Sequence, residues 1–123
     1  MGGQVQPGAE AWSHNGTLTS GVLVIHGFTG NPSSVRELAE RFAAEGFHVE
    51  VPRLSGHGTV IEDMIPTRWS DWSADVAAAY KALASRCHKV IVAGQSMGGA
   101  LTLWLAAHHP EIAGIVCINP VAQ

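Results

Sequence analysis

The 123-residue sequence has few charged residues and no long apolar run. Seven Lys and Arg stand against ten Asp and Glu, which gives a formal net charge of −3. Because the basic residues form no cluster, nucleic acid is not expected as a partner. The first eight residues lack the features of a signal peptide, and no apolar run is long enough to cross a bilayer. We therefore expect a cytoplasmic protein without an integral membrane segment.

Cysteine is also scarce, with Cys87 and Cys117 as its two occurrences. Their spacing is neither a C-x-x-C pair nor a disulfide framework, so we expect two buried, reduced thiols. The seven histidines match no zinc-binding spacing. No metal is predicted.

The apolar content, 46% of residues against 14% charged, indicates one globular domain. Residues 1–20 are polar and glycine-rich, and we expect a partly loose N-terminal segment with a possible edge strand near residues 10–14. Residues 21–123 are expected to form the core.

Short apolar, β-branched runs alternate with segments of helical periodicity along residues 21–118. Strands are predicted at residues 21–26, 47–51, 89–93 and 112–118, and helices at residues 33–45, 70–85 and 97–108, with Ser33 or Ser34 capping the first helix. This alternation predicts an α/β fold, a parallel sheet with flanking helices. In such sheets ligands bind beyond the carboxyl ends of the strands.

The third predicted strand runs directly into Gly94-Gln95-Ser96-Met97-Gly98, and a helical segment follows. The pattern G-x-S-x-G between a strand and a helix is typical of a nucleophile elbow, in which the serine occupies a strained turn. Gly94 and Gly98 supply the small residues that such a turn requires. Ser96 is therefore the candidate nucleophile, and the alternative is a glycine-rich turn that contains a serine by chance.

A serine nucleophile also requires N–H donors for the oxyanion that forms during acyl transfer. The backbone N–H of Met97, directly after the serine, is one candidate. The second is expected in the loop 26–30 after the first strand, where we assign it to the backbone N–H of Phe28.

Several segments occur in an order that resembles the α/β-hydrolase superfamily, most of all its bacterial monoacylglycerol lipase and carboxylesterase branch. They are the turn 26–30, the loop 52–59, Glu62-Asp63-Met64, Ser96-Met97-Gly98-Gly99 and His108-His109-Pro110. The resemblance implies an α/β-hydrolase core that hydrolyses monoacylglycerols or short-chain esters without a metal or organic cofactor. It also implies that Ser96 is the nucleophile and that the amides of Phe28 and Met97 form the oxyanion hole.

The sequence departs from this family because the triad acid and histidine should follow the serine. After Ser96 the candidates are His108, His109 and Glu111, in the wrong order. At about 1.5 Å of rise per residue, His108 would lie about 18 Å along the helix from Ser96, too far to act as its base. We therefore expect the N-terminal half of a hydrolase, inactive or slow alone, which a C-terminal polypeptide would complement.

Two alternatives to catalysis stay open at this stage. One is a non-catalytic ligand-binding or interaction module, in which the apolar edge of the last strand, residues 115–118, would invite self-association. Nucleotide binding is disfavoured because no glycine-rich stretch has a phosphate-binding pattern. For His26 and His57 we predict structural roles, and for Trp69 and Trp72 we predict burial in preference to lining an acyl pocket.

Overall fold

Five strands form one sheet in the computed structural model, which describes residues 3–27 and 30–118. The strand order is β1-β3-β2-β4-β5. The strands are β1 Trp12–His14, β2 Ser20–Ile25, β3 His48–Val51, β4 Lys89–Gln95 and β5 Gly114–Ile118, and the helices are α1 Arg36–Ala44, α2 Ile61–Met64, α3 Trp69–Ala84 and α4 Met97–His108.

Strands β2 to β5 run parallel, and β1 pairs with β3 in the antiparallel direction. The predicted α/β class with a parallel sheet and flanking helices is therefore confirmed, with one antiparallel strand at the edge. Because β2, β3 and β4 are parallel, the loops that follow them leave from the same side of the sheet.

The core has two layers, one on each face of the sheet, and β2 contributes to both. Leu23 and Ile25 pack with α3 and α4, whereas Val22 and Val24 pack with α1 and β3. Successive side chains of a strand point to opposite faces, so a strand covered on both sides reads as a continuous apolar run. This explains why β2 could be recognised from its sequence.

The segment before α1 differs from the prediction. Asn31, not Ser33 or Ser34, provides the cap, because its Oδ1 accepts a hydrogen bond from the Ser33 backbone N–H at 2.9 Å. A 3-10 turn from Pro32 to Val35 follows, and α1 begins at Arg36. Proline is favoured in a first helical turn because its missing N–H would have no partner there.

Two strand starts and one helix also differ from expectation. Phe47 precedes β3 because its N–H donates to the Phe42 carbonyl at the end of α1, and Ile112 precedes β5 because its N–H donates to the His109 carbonyl. The helix α2 was not predicted, since a single turn with no buried residue leaves no apolar periodicity in the sequence.

The helix α4 offers a direct measure of this core, because Leu101 is buried whereas Leu103 is 51% exposed. We expect Leu101→Ala to lower the free energy of unfolding by about 2–5 kcal/mol, since it leaves a cavity beneath the helix. The matched change Leu103→Ala should alter it by about 0.5 kcal/mol or less. Urea denaturation followed by circular dichroism measures both, and equal losses would contradict this packing.

Candidate active site

Ser96 lies in a strained turn between β4 and α4. Its backbone has φ 57° and ψ −121°. Among residues 3–27 and 30–118, Ser96 is the only residue other than glycine with a positive φ. Such a conformation costs about 1–3 kcal/mol and persists only when its surroundings enforce it. The Ser96 N–H donates to the Ile118 carbonyl at 2.8 Å, and the Ser96 carbonyl accepts from the Gly99 N–H at 2.8 Å.

The glycines on either side of Ser96 allow this turn to form. A Cβ on Gly94 would lie 2.0 Å from the Gly98 carbonyl oxygen, and a Cβ on Gly98 would lie 2.3 Å from the Ile25 carbonyl oxygen. Backbone therefore meets backbone where α4 crosses β4 and β2, and neither position accepts a larger residue. The sequence prediction that both positions must lack bulk is confirmed.

The loop after β2 lies against the Ser96 side chain. A Cβ on Gly27 would lie 3.0 Å from Ser96 Cβ and 3.5 Å from Ser96 Oγ. Met97 begins α4, and the first N–H groups of a helix have no intrahelical partner and carry a partial positive charge. Phe28 lies outside the described residues, so the oxyanion role assigned to its amide stays a prediction.

His26 connects this loop to the loop after β3. Its imidazole is fully buried, Nδ1 lies 3.0 Å from the Gly27 carbonyl oxygen, and Nε2 accepts a hydrogen bond from the Leu54 N–H at 3.0 Å. A carbonyl can only accept, so Nδ1 carries the proton and the ring is neutral. Burial lowers the pKa of His26 to about 4, which favours the same neutral form. The predicted structural role of His26 is confirmed.

Helix α3 holds the loop after β3 from its other side. Asp75 Oδ2 accepts hydrogen bonds from the Ser55 N–H and the Ser55 Oγ, both at 2.6 Å. Trp72 Nε1 donates to the Ser55 carbonyl at 3.1 Å. Neither Ser55 nor Asp75 was a candidate site residue from the sequence. Trp72 and Asp75 are three residues apart and therefore lie on one face of α3. This spacing is the sequence signal that could have indicated a role for Asp75.

His57 belongs to the same buried group. Its ring lies 5.3 Å from that of His26 and 5.7 Å from that of Trp72, and its Nδ1 is 3.0 Å from the Ser55 carbonyl oxygen. Arg53 Nη1 donates to the His57 carbonyl at 2.7 Å. His57 is therefore a packed loop residue, as the sequence predicts.

The remaining candidates lie away from Ser96 or are more exposed than expected. His108 ends α4 and bonds the Trp104 carbonyl through Nδ1, which fits its predicted exclusion as a base. Trp69 is 40% exposed, so its predicted burial is wrong, whereas that of Trp72 is correct. Both cysteines are free but only half-buried, which corrects the expectation of buried thiols.

Within the described part of the chain, no three His, Cys, Asp or Glu side chains are grouped so that they could hold a metal ion. The same residues include no helix that is both long and apolar enough to span a bilayer.

The close contact of α4 with β2 at Gly98 can be tested by comparison with a glycine that has no neighbouring atoms around its Cβ position. We expect Gly98→Ala to lower the free energy of unfolding by about 1–3 kcal/mol or more, because the new methyl overlaps the Ile25 carbonyl. Gly114→Ala is the control, since a Cβ there meets nothing within 4 Å. Denaturant midpoints compare the two, and a Gly98→Ala protein as stable as Gly114→Ala would refute the close approach.

The buried His26 predicts a pH dependence of stability. Its ordinary pKa of 6.5 falls to about 4 on folding because of burial, so the unfolded chain binds the proton more tightly. The stabilisation from neutral His26 is complete above pH 6.5 and declines as the pH falls toward 4. Between pH 7 and pH 5 we expect this residue to cost about 2 kcal/mol of unfolding free energy.

Urea denaturation at the two pH values checks this expectation. His26→Asn should remove that part of the pH dependence, whereas a change at the exposed His88, His88→Gln, should keep it. An unchanged dependence in His26→Asn would show that the folded protein does not hold this imidazole neutral.

Comparisons with known proteins agree with this geometry. A family model described as serine aminopeptidase, S33 (Hydrolase_4) matches residues 18–123. A thermostable monoacylglycerol lipase of Bacillus sp. (strain H-257) is 53% identical over 116 residues, which cover 94% of this chain and 46% of the lipase. A carboxylesterase of Bacillus subtilis (strain 168) is 38% identical over 96 residues, covering 77% of this chain and 39% of the esterase.

A solved structure reported for LipS and LipT, two metagenome-derived lipolytic enzymes, superposes with a TM-score of 0.94. It is 50% identical and covers 98% of this chain and 49% of that one. The chain therefore spans about half the length of these relatives or less. The family model covers most of the chain, and strands β2 to β5 and the turn at Ser96 lie within the residues that it matches. The chain belongs to the serine aminopeptidase S33 (Hydrolase_4) family of α/β-hydrolases.

Proposed function

We propose that this chain is the nucleophile-bearing N-terminal half of a serine-dependent carboxylic ester hydrolase. The observation that carries the proposal is the strained backbone of Ser96, with φ 57° at the junction of β4 and α4. A serine in a turn that costs energy to maintain is expected where its hydroxyl must be presented to a substrate. This supports the interpretation of residues 94–98 as a nucleophile elbow.

In the proposed reaction Ser96 Oγ attacks the ester carbonyl carbon while a base removes the hydroxyl proton. The oxyanion that forms accepts hydrogen bonds from the amides of Met97 and Phe28. The alcohol leaves with a proton, and water then releases the acid from the acyl-enzyme. The N-terminus of α4 favours the negative charge, because its first N–H groups point toward Ser96.

The proposed substrates are monoacylglycerols or other short-chain esters. The relatives named as a monoacylglycerol lipase and a carboxylesterase support this class. The segment after the loop 53–59 also exposes apolar side chains, with Val60 47%, Ile61 56% and Ile65 68% accessible. Val60 and Ile61 line a cavity together with Gly30 and His57, which belong to the loops after β2 and β3. Exposed apolar side chains grouped beside a site suit an acyl chain.

The proposal assigns the triad acid and histidine to a complementing C-terminal polypeptide. The share of the relatives that the chain spans supports this assignment. The outer strand β5 supports it as well, because Ile115 and Val116 are 42% and 43% exposed although they point to opposite faces. An edge strand whose side chains are partly exposed on both faces is suited to pairing with another segment.

The proposal includes a cytoplasmic location, which is supported by the free thiols of Cys87 and Cys117.

The first test of the proposal is covalent labelling of the isolated chain with a fluorophosphonate. We expect slow labelling that Ser96→Ala abolishes, because a formed oxyanion site gives residual reactivity without the base. Ser85→Ala, at the exposed end of α3, should label like the wild type. Intact mass and peptide mapping identify the site, and labelling that persists in Ser96→Ala would contradict the assigned nucleophile.

A second measurement separates the hydrolase from a non-catalytic interaction module. The chain is mixed with the C-terminal half of the Bacillus monoacylglycerol lipase, and turnover of p-nitrophenyl esters is followed. Hydrolysis that requires both polypeptides and Ser96 supports the proposal. A mixture that assembles by size-exclusion chromatography but hydrolyses nothing favours the module, and self-association of the chain alone would assign β5 to a second copy.

A further inference from the structure

The loop after β3 is held at two successive residues by groups from different sides of the fold. Leu54 is fully buried and gives its N–H to His26, while Ser55 gives its N–H and its hydroxyl to Asp75. Two short hydrogen bonds to one carboxylate oxygen are charge-assisted and stronger than neutral ones. Asp75 therefore fixes the backbone next to Leu54, whose N–H donates to His26.

The same chain of contacts continues toward Ser96. The Gly27 carbonyl accepts from His26 Nδ1 at 3.0 Å and from the Gly30 N–H at 3.0 Å. His26 and the Gly30 N–H therefore fix the orientation of the Gly27 carbonyl, and Gly27 lies against Ser96. The C=O and N–H of one trans peptide point in opposite directions.

We propose that Asp75 is a positioning residue for acyl transfer, which acts through Ser55, Leu54 and His26 on the Gly27 peptide beside Ser96. Asp75 touches neither Ser96 nor the proposed oxyanion. Its carboxylate fixes the loop after β3, at the carboxyl ends of the parallel strands, to helix α3. The inference rests on the proposed function, because it names the device that orients one of its donors.

A matched pair of aspartates on α3 makes this inference testable. Asp71 lies one turn before Asp75 and caps the helix, since its Oδ2 accepts from the Arg68 N–H at 2.9 Å. Asp71→Ala removes a carboxylate from the same helix at a cost of about 1 kcal/mol without touching the loop. A loss of general helix stability would therefore follow from either substitution, and a loss of site geometry from Asp75→Ala.

The experiment compares fluorophosphonate labelling rates of Ser96 in folded Asp75→Ala, Asp75→Asn and Asp71→Ala. We expect Asp75→Ala to label about tenfold more slowly, because small displacements of a donor cost large factors in rate. Asp75→Asn keeps an acceptor oxygen and should recover most of the rate. Asp71→Ala should stay within about twofold of the wild type. Equal rates in Asp75→Ala and the wild type would overturn the inference.

A second readout does not depend on reactivity. The Nδ1–H resonance of His26 and its ring nitrogen shifts report the neutral tautomer held between Gly27 and Leu54. We expect Asp75→Ala to shift them and Asp71→Ala to leave them in place. Should the isolated wild type label too slowly to compare, this measurement still decides whether Asp75 positions His26: unchanged resonances in Asp75→Ala would reject it.

Discussion

The close approach of α4 to the sheet is the constraint on which the rest of the structure depends. Because Gly94 and Gly98 carry no side chain, the backbone of the helix meets the backbone of β4 and β2. That contact leaves Ser96 no relaxed conformation and keeps its φ at 57°. The strain is local, and the two-layered core that surrounds β2 and β4 offsets it.

The site is built at the edge where the parallel strands end, and each loop there is anchored by a different kind of contact. The turn at Ser96 is held by backbone hydrogen bonds to β5 and within α4. The loop after β2 is held by the neutral imidazole of His26, and the loop after β3 by the carboxylate of Asp75. The polar groups that order the site are thus side chains buried or half-buried behind it.

The comparison with the longer relatives agrees with this arrangement of the site. The chain holds the turn at Ser96, the N-terminus of α4 and the loop after β2 that is expected to supply an oxyanion donor. It spans about half the length of a monoacylglycerol lipase to which it is 53% identical. The position of Ser96 is set locally in the sheet, by β2, β4, β5 and α4. His108 and His109 lie at the opposite end of α4 from Ser96.

Local patterns by themselves determined most of the elements, the fold class and the candidate nucleophile. The β-branched runs of β2 and β4, the helical periodicity of α3 and the Gly-x-Ser-x-Gly turn each act over a few residues, so one sequence suffices to recognise them. The cap at Asn31 was missed because several neighbouring residues could cap that turn. The tertiary structure decided three features: the exposure of Trp69, the hydrogen bond between His26 and Leu54, and the hydrogen bonds of Ser55 to Asp75. The two sets of hydrogen bonds join residues 20 or more positions apart. The sheet topology brings these residues together, and no spacing in the sequence encodes that topology.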